Sequence, residues 1–254
     1  TNLVVIADRV SALGLTHSPL LVMGVALMLI GFGFKVAAVP FHMWAPDVYD
    51  GAPSPVTAYM AATVKAAAFA ALLRVWMEAF PAAYDAWHPV IAGLAIATMV
   101  VGNAVGRAQR NIKRMLAYSS IAHAGYLLVA FTGLWSEGIA SAAFYTAAYA
   151  AMNVGAFAII GLLSGYDESA QTLDDFAGLA TQRPLLAALL AFFLLSLLGI
   201  PFTGGFFGKF FVFSAAIHGG HVWLSVVGLV NSGIACLYSL RLIVVLYARP
   251  LDPD

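Results

Sequence analysis

The chain has 254 residues, of which 62% are hydrophobic and only 9% are charged, and its 12 basic residues balance its 12 acidic residues. Soluble domains carry about 25% charged residues, so this composition excludes an ordinary soluble protein. A net charge of zero gives no basic surface for nucleic acid, and the single cysteine, Cys236, provides neither a disulfide framework nor the ligands of an iron–sulfur cluster.

Apolar stretches recur along the whole chain, and each is long enough to cross about 30 Å of hydrocarbon as a helix of roughly 20 residues. Backbone polar groups inside a bilayer must be satisfied within the segment, which favours helices. We therefore predict an all-α, polytopic transmembrane helical bundle that forms one membrane domain over residues 1–254. The seven predicted spans are Leu20–Val39, Pro55–Met77, Pro89–Val105, Leu116–Leu134, Ile139–Leu163, Leu185–Ile217 and Val222–Tyr247.

Two regions contain residues that interrupt helices. The span Leu185–Ile217 carries "LGIPFTGGFFGK" at its centre, and Lys35 is followed by "VPFHMWAPDVYDGAPSPV", which is rich in proline. Proline removes a helical hydrogen bond, and transporters place interrupted helices at their ion sites. The sequence thus predicts two discontinuous helices, one broken after Lys35 and one around Gly199–Gly205.

Loop charges predict the orientation of the bundle. The segment Arg107–Arg114 holds four basic residues, whereas the loop Glu78–His88 has no lysine or arginine. Basic loops face the cytoplasm. The acidic loop Ser164–Pro184 is predicted on the same side as Arg107–Arg114, and its carboxylates count little in this rule.

Three lysines lie in or beside predicted spans. Lys65 is the eleventh residue of a 23-residue span, while Lys35 and Lys209 are next to the two breaks. Each lysine costs about 2.5–3.5 kcal/mol at the centre of a membrane helix. Lys35 and Lys209 can extend their amines to the headgroups, but Lys65 is too deep. The functional interpretation is that the three amines face a hydrated interior, where burial disfavours the charged form and allows proton exchange.

One histidine, His123, lies within the span Leu116–Leu134, in "RMLAYSSIAHAGYLL". Tyr118, Ser119 and Ser120 precede it and supply hydroxyl groups for a proton relay. A single intramembrane histidine also serves as a hydrogen bond between helices. Both interpretations remain open from the sequence.

Residues 31–74, "GFGFKVAAVPFHMWAPDVYDGAPSPVTAYMAATVKAAAFAALLR", closely resemble the N-type antiporter-like membrane subunit of bacterial NADH:quinone oxidoreductase, respiratory complex I. The resemblance continues through "RNIKRMLAYSSIAHAGYLL", "AAMNVGAFAII", "DDFAGLATQRP" and "GIPFTGGFFGKF". It therefore covers nearly the whole chain, in order.

The resemblance implies that Lys35, Lys65, Lys209 and His123 belong to a polar axis that transfers protons. It implies that Lys35 pairs with a glutamate on an earlier helix, and that the chain is the C-terminal part of a longer subunit. It places the protein in the bacterial inner membrane, with other complex I membrane subunits, lipid and protons as partners. No cofactor or metal is expected in this chain, because NADH, FMN, iron–sulfur clusters and quinone are expected in partner subunits.

Two other functions remain open from the sequence. The first is a cation/proton antiporter subunit that works without electron transfer, because such proteins share the broken helices and the lysines. The second is a passive scaffold between neighbouring subunits, in which leucine could replace all three lysines.

Overall fold

The computed structural model describes residues 2–133, 135–165, 168 and 170–248. In these ranges the chain is almost entirely helical, without any strand, and its one β-bridge joins Asn111 to Thr172. The predicted all-α class is confirmed. The twelve α-helices of the described part are α1 Leu3–Ala12, α2 Pro19–Val36, α3 Trp44–Gly51, α4 Ser54–Tyr59, α5 Lys65–Ala79, α6 Tyr84–Ala108, α7 Ile112–Val129, α8 Trp135–Ser164, α9 Leu179–Gln182, α10 Pro184–Leu198, α11 Gly204–His218 and α12 Val222–Ala248.

Short helical turns join several of these elements. A π-helical turn, Met60–Val64, links α4 to α5 without interruption. The 3₁₀ turns in the described ranges are Leu15–His17, Pro81–Ala83, Ala130–Thr132 and Asp174–Phe176.

Six helical segments of the described chain are long and apolar enough to cross a membrane. They are Pro19–Val36, Ser54–Ala79, Pro81–Ala108, Ile112–Thr132, Trp135–Ser164 and Val222–Ala248. Each overlaps one predicted span, but most extend further than predicted, and Pro89 lies inside α6 instead of beginning it. The predicted endpoint Leu134 is outside the described residues. That the chain crosses the membrane seven times stays a prediction.

The remaining predicted span, Leu185–Ile217, consists of two helices, α10 and α11, separated by residues 199–203. Helix α10 ends at Leu198, and the φ of the following residue, Gly199, is 93°, in the left-handed region that favours glycine. Helix α2 likewise ends at Val36, and residues 37–43, which include the cis peptide Val39–Pro40, connect it to α3. Both interruptions lie beside the proline and glycine residues of the sequence, and that they are breaks of discontinuous membrane helices stays a prediction.

Helix α7 occupies the centre of the bundle. In its membrane segment, 94% of an 18-residue window is buried inside the protein, against 17% in the segment of α2. The helix begins after Asn111, whose side chain accepts a hydrogen bond from the main-chain nitrogen of Arg114. It packs closely on α6, because a Cβ at Gly102 would lie 2.6 Å from the nitrogen of Ala122. Polar side chains on α7 are therefore surrounded by protein.

The two loops predicted on one side of the membrane contact each other. Main-chain hydrogen bonds join Ile112 to Gln171 and Leu173 to Arg110. This arrangement confirms that the loops Arg107–Arg114 and Ser164–Pro184 lie on the same side.

Candidate functional site

Lys65 is the first residue of α5, directly after the π turn Met60–Val64. Such turns are frequent at functional sites because they shift the register of side chains along a helix. The Lys65 side chain is buried, with 4% of its surface exposed. Its Nζ donates to the carbonyl oxygen of Ser120 at 2.7 Å and to Ser120 Oγ at 2.5 Å. The ammonium group is thus held by neutral oxygen atoms on α7.

Aromatic side chains complete the surroundings of Lys65. Its Nζ lies 5.7 Å from the ring centroid of Tyr149, within the range of a cation–π interaction. The hydroxyl of Tyr49 is 3.4 Å from Ser120 Oγ. None of the ion pairs between described residues involves Lys65. A buried amine without a carboxylate partner has no fixed counter-charge in the described part of the chain.

Lys209 lies on α11, next to the second break, and is 6% exposed. Its Nζ donates to the carbonyl oxygen of Leu198 at 2.8 Å and to Ser232 Oγ at 2.7 Å. The carbonyl of Leu198 is available because α10 ends there. The same Nζ lies 4.8 Å from the ring centroid of Tyr126. The break therefore supplies a main-chain acceptor to a buried amine.

His123 is buried on α7, and its ring lies 5.0 Å from that of Tyr149, which neighbours Lys65, and 5.7 Å from that of Tyr126, which neighbours Lys209. It lies about three turns from the start of the helix, which is deeper than the predicted span boundary suggests, because α7 begins at Ile112. The Nδ1 atom is 2.6 Å from the hydroxyl of Tyr145. An imidazole can accept a proton on one nitrogen and release it from the other.

Lys35 is in a different environment. It occupies the last turn of α2, is exposed, and makes no hydrogen bond or ion pair with the described residues. The break beside it is held by other groups, since Trp44 Nε1 donates to the carbonyl of Phe34 at 2.9 Å and the nitrogen of Val39 donates to Thr98 Oγ1 at 3.0 Å. The structure therefore brings Lys65, His123 and Lys209 into one buried region and leaves Lys35 outside it.

Sequence reasoning missed a polar group at the loop side of α7. Lys113, counted there only as a loop charge, is 2% exposed and forms an ion pair with Glu168. Lys113 Nζ also donates to the carbonyl of Ala52 at 3.0 Å, and Glu168 accepts from the nitrogen of Ser54 at 2.6 Å. No pairing signal exists in the sequence, because several acidic residues share that loop.

The surroundings of Glu168 change its acidity. Burial alone would raise the pKa of this carboxyl, but hydrogen bonds from Lys113 and Ser54 outweigh burial and lower the pKa below its usual value. Glu168 is therefore held as a carboxylate. The described ranges contain no group of three or more His, Cys, Asp or Glu side chains placed to hold a metal ion.

Sequence reasoning also missed a second polar cluster between α6, α7 and α12. Asn103 Nδ2 donates to the hydroxyl of Tyr126 at 3.1 Å, and the hydroxyl of Tyr238 donates to Asn103 Oδ1 at 3.1 Å. All three residues are buried. Isolated Asn and Tyr residues in separate apolar segments carry no sequence signal that they meet.

The family model for the transmembrane region of NADH:quinone oxidoreductase and Mrp antiporters matches residues 2–235. NADH-quinone oxidoreductase subunit N 1 of Solibacter usitatus is 54% identical over 239 residues, which cover 90% of this chain and 49% of that protein. Subunit N of Trichlorobacter lovleyi is 49% identical over 254 residues, covering 100% of this chain and 52% of its own length. The chain spans about half the length of these relatives.

Solved structures show the same fold. A chain of respiratory complex I from Thermus thermophilus with bound aureothin has a TM-score of 0.79 and 40% identity, covering 92% of this chain and 52% of that chain. A chain of the Mrp complex from Dietzia sp. has a TM-score of 0.83 at 24% identity, covering 90% of this chain and 42% of its own length. The chain belongs to the NADH:quinone oxidoreductase/Mrp antiporter transmembrane family.

Proposed function

We propose that the protein is a proton-translocating, antiporter-like membrane subunit of NADH:quinone oxidoreductase. Lys65 and Lys209 each bind and release a proton, and His123 transfers protons between them. Lys35 is a further proton-binding site on this axis. Quinone reduction elsewhere in the complex changes the electrostatic field and hydration along the axis, and so moves protons across the membrane.

The observation that carries this proposal is the pair of buried amines without carboxylate partners in the described chain. An ammonium group in a dry interior is costly, and neutral dipoles compensate for only part of the lost hydration. The cost supports a role in which the charge is gained and lost. A passive scaffold would not need either lysine, and leucine at both positions would pack without this cost.

The proposed transfer uses the groups around each amine. The Ser120 hydroxyl contacts Lys65 Nζ and accepts its proton by exchange of hydrogen bonds. His123 then takes up a proton on one ring nitrogen and releases one from the other, and on the Nδ1 side the proton passes through the Tyr145 hydroxyl, which lies 2.6 Å from that nitrogen. Lys209 receives the proton at the second break, where Leu198 and Ser232 hold its amine.

The remaining parts of the proposal concern the complete assembly. The chain is the C-terminal part of a longer subunit in a bacterial inner membrane, and its partners are the other membrane subunits of the complex. NADH oxidation, FMN, iron–sulfur clusters and quinone reduction belong to partner subunits, and this chain supplies no redox group. The subunit contributes to the enzyme by moving protons.

The alternative is an antiporter subunit that is not linked to electron transfer. The family includes both types, but the subunit N relatives are 46–54% identical to this chain, whereas the Mrp complex chain is 24% identical. The higher identity favours the respiratory complex. Purification of the chain together with a quinone-reducing complex tests this choice, and its recovery in a complex without NADH:quinone activity would support the antiporter.

The decisive experiment replaces Lys65 in the intact complex. The Lys65→Ala variant is expected to lose proton pumping in vesicles by about tenfold or more, because the proton-binding group is removed. Arg74→Ala is the matched control, since Arg74 is a cation on the same helix whose side chain is 72% exposed. Pumping and coupled turnover at wild-type levels in Lys65→Ala, in a complex that assembles normally, would refute the proposal.

A further inference from the structure

The cluster of Asn103, Tyr126 and Tyr238 extends from the surroundings of Lys209 towards Ser119 on α7, which precedes the Ser120 that binds Lys65. At one end, the Tyr238 hydroxyl lies close to the hydroxyl of Ser119, the neighbour of the residue that binds Lys65. At the other end, the Tyr126 ring lies below Lys209 Nζ, and its hydroxyl is close to Ser232. Asn103 bonds to both tyrosines and stands at the middle of this branch.

An amide is a poor proton relay. A hydroxyl accepts a proton and releases another from the same oxygen, and an imidazole uses its two nitrogens. The amide of asparagine accepts only at oxygen and donates only from nitrogen, so a proton passing through it would leave the unstable imidic acid tautomer. Exchanging the oxygen and nitrogen of the Asn103 side chain does not change this conclusion, since the amide still separates the two hydroxyls.

We infer that Asn103 is a positioning residue that joins Tyr126 to Tyr238 without passing protons. This inference rests on the proposed function. The amide fixes the Tyr126 ring below Lys209 and interrupts the path through α12. Proton transfer between Lys65 and Lys209 then goes through His123, which is the conducting branch among the described residues.

The position of Asn103 supports this role. Its side chain has no exposed surface, and Tyr126 and Tyr238 are 1% and 3% exposed. Both ends of the amide are satisfied, as expected for a polar group retained in a core. Gly102, the preceding residue, allows the close approach of α6 and α7 that brings the amide to Tyr126. The three side chains belong to three helices, so the amide also connects these helices.

The test asks whether a side chain that can relay protons at position 103 restores proton transfer after His123 is removed. His123→Phe removes both ring nitrogens and is expected to lower pumping by the intact complex in vesicles by about tenfold. Adding Asn103→Asp places a carboxyl group, which accepts a proton on one oxygen and releases it from the other, between the two tyrosines. We expect the double variant to pump about threefold or more faster than His123→Phe alone.

Asn103→Leu in the same background is the matched control, because leucine has a similar size and cannot relay a proton. It is expected to restore nothing. Asn103→Ser, whose hydroxyl can also relay, serves as a second conducting variant if the aspartate complex assembles poorly. Recovery with the relay-capable variants but not with leucine would separate this role from a purely structural one.

The outcomes separate the inference from the proposed function. If neither Asn103→Asp nor Asn103→Ser raises pumping above His123→Phe, or if leucine restores it equally, the inference is overturned. It is also overturned if His123→Phe pumps at the wild-type rate. Lys65→Ala tests the proposed function independently, because loss of pumping in that variant would stand whatever Asn103 does.

Discussion

The two helix breaks of this protein have similar sequence signals but different surroundings. Lys35 precedes the first break by two residues and is exposed, whereas Lys209 follows the second break and is 6% exposed. Lys35 has no hydrogen-bond partner among the described residues, while Lys209 donates to Leu198 and Ser232. A lysine beside a proline and glycine break therefore indicates where the helix ends, but does not determine the environment of the amine.

The difference arises from what packs on each lysine. Helix α11 lies against α7 and α12, so that Tyr126 and Ser232 surround Lys209. The membrane segment of α2 is only 17% buried, and Lys35 lies on an exposed part of it. Burial of an amine depends on helix neighbours that are distant in the sequence.

The largest expected effect concerns the packing at the second break. A Cβ at Gly205 would overlap the main-chain carbonyl oxygen of Ser196, whereas a Cβ at Gly33, near the first break, would lie 2.9 Å from the ring of Phe41. A ring can rotate away, but the main chain of α10 cannot do so without disturbing the break. We expect Gly205→Ala to prevent most complex assembly and Gly33→Ala to leave it largely intact, as measured by native electrophoresis of solubilised membranes.

Gly233→Ala is the control for this pair, because a Cβ at Gly233 meets no atom within 4 Å. Overpacking a well-filled site typically costs about 1–3 kcal/mol, and more when main chain must move. Equal assembly of the Gly205→Ala and Gly233→Ala complexes would contradict the close packing of α10 on α11.

The second prediction compares the lysines directly. Lys209→Met keeps an apolar stem of similar length but removes the amine, and we expect proton pumping to fall by about tenfold or more. Lys35→Met is expected to give a smaller reduction, because the buried connection from Lys65 to Lys209 remains. Pumping is measured in vesicles at matched amounts of assembled complex. Equal losses in both variants would show that the exposure of each amine does not determine how much it contributes to proton pumping.

Much of the fold follows from the sequence, because each span is encoded locally. Apolar length predicts the membrane helices, and the proline and glycine residues after Lys35 and around Gly199 predict both breaks. Helix ends were less accurate, as for α6, where Pro89 lies inside the helix because the five residues before it, Tyr84–His88, are also helical.

The candidate site was only partly predictable. Lys65 stands out because no snorkelling path exists from its depth, and the serines near His123 were recognised as possible relay groups. The hydrogen bond from Lys65 to Ser120 and the pairing of His123 with Tyr145 depend on helix rotation and tilt, which one sequence does not determine. The same reason explains why the Asn103 cluster and the Lys113–Glu168 pair were missed.

The smallest predicted effect concerns the connection from α3 to α4, which follows the first break. After α3, Lys113 binds the carbonyl of Ala52 and Glu168 binds the nitrogen of Ser54, so one ion pair holds the connection from α3 to α4. The second break has no ion pair among the described residues. We expect Glu168→Gln to destabilise the complex by about 1–2 kcal/mol near neutral pH, because charged hydrogen bonds are lost.

The pH dependence identifies the carboxylate. The pKa of Glu168 is lowered in the folded protein, so its ionised form stabilises the fold at pH values above the ordinary pKa of about 4.3. This stabilisation is lost as the pH falls through the lower folded pKa. Thermal denaturation of the detergent-solubilised complex should therefore separate wild type from Glu168→Gln near neutral pH, and the difference should shrink in acid.

Glu78→Gln, which changes an exposed i,i+4 pair with Arg74, is the control and should show no measurable difference. A Glu168→Gln difference that persists unchanged in acid would mean that shape, and not charge, ties Glu168 to the connection from α3 to α4.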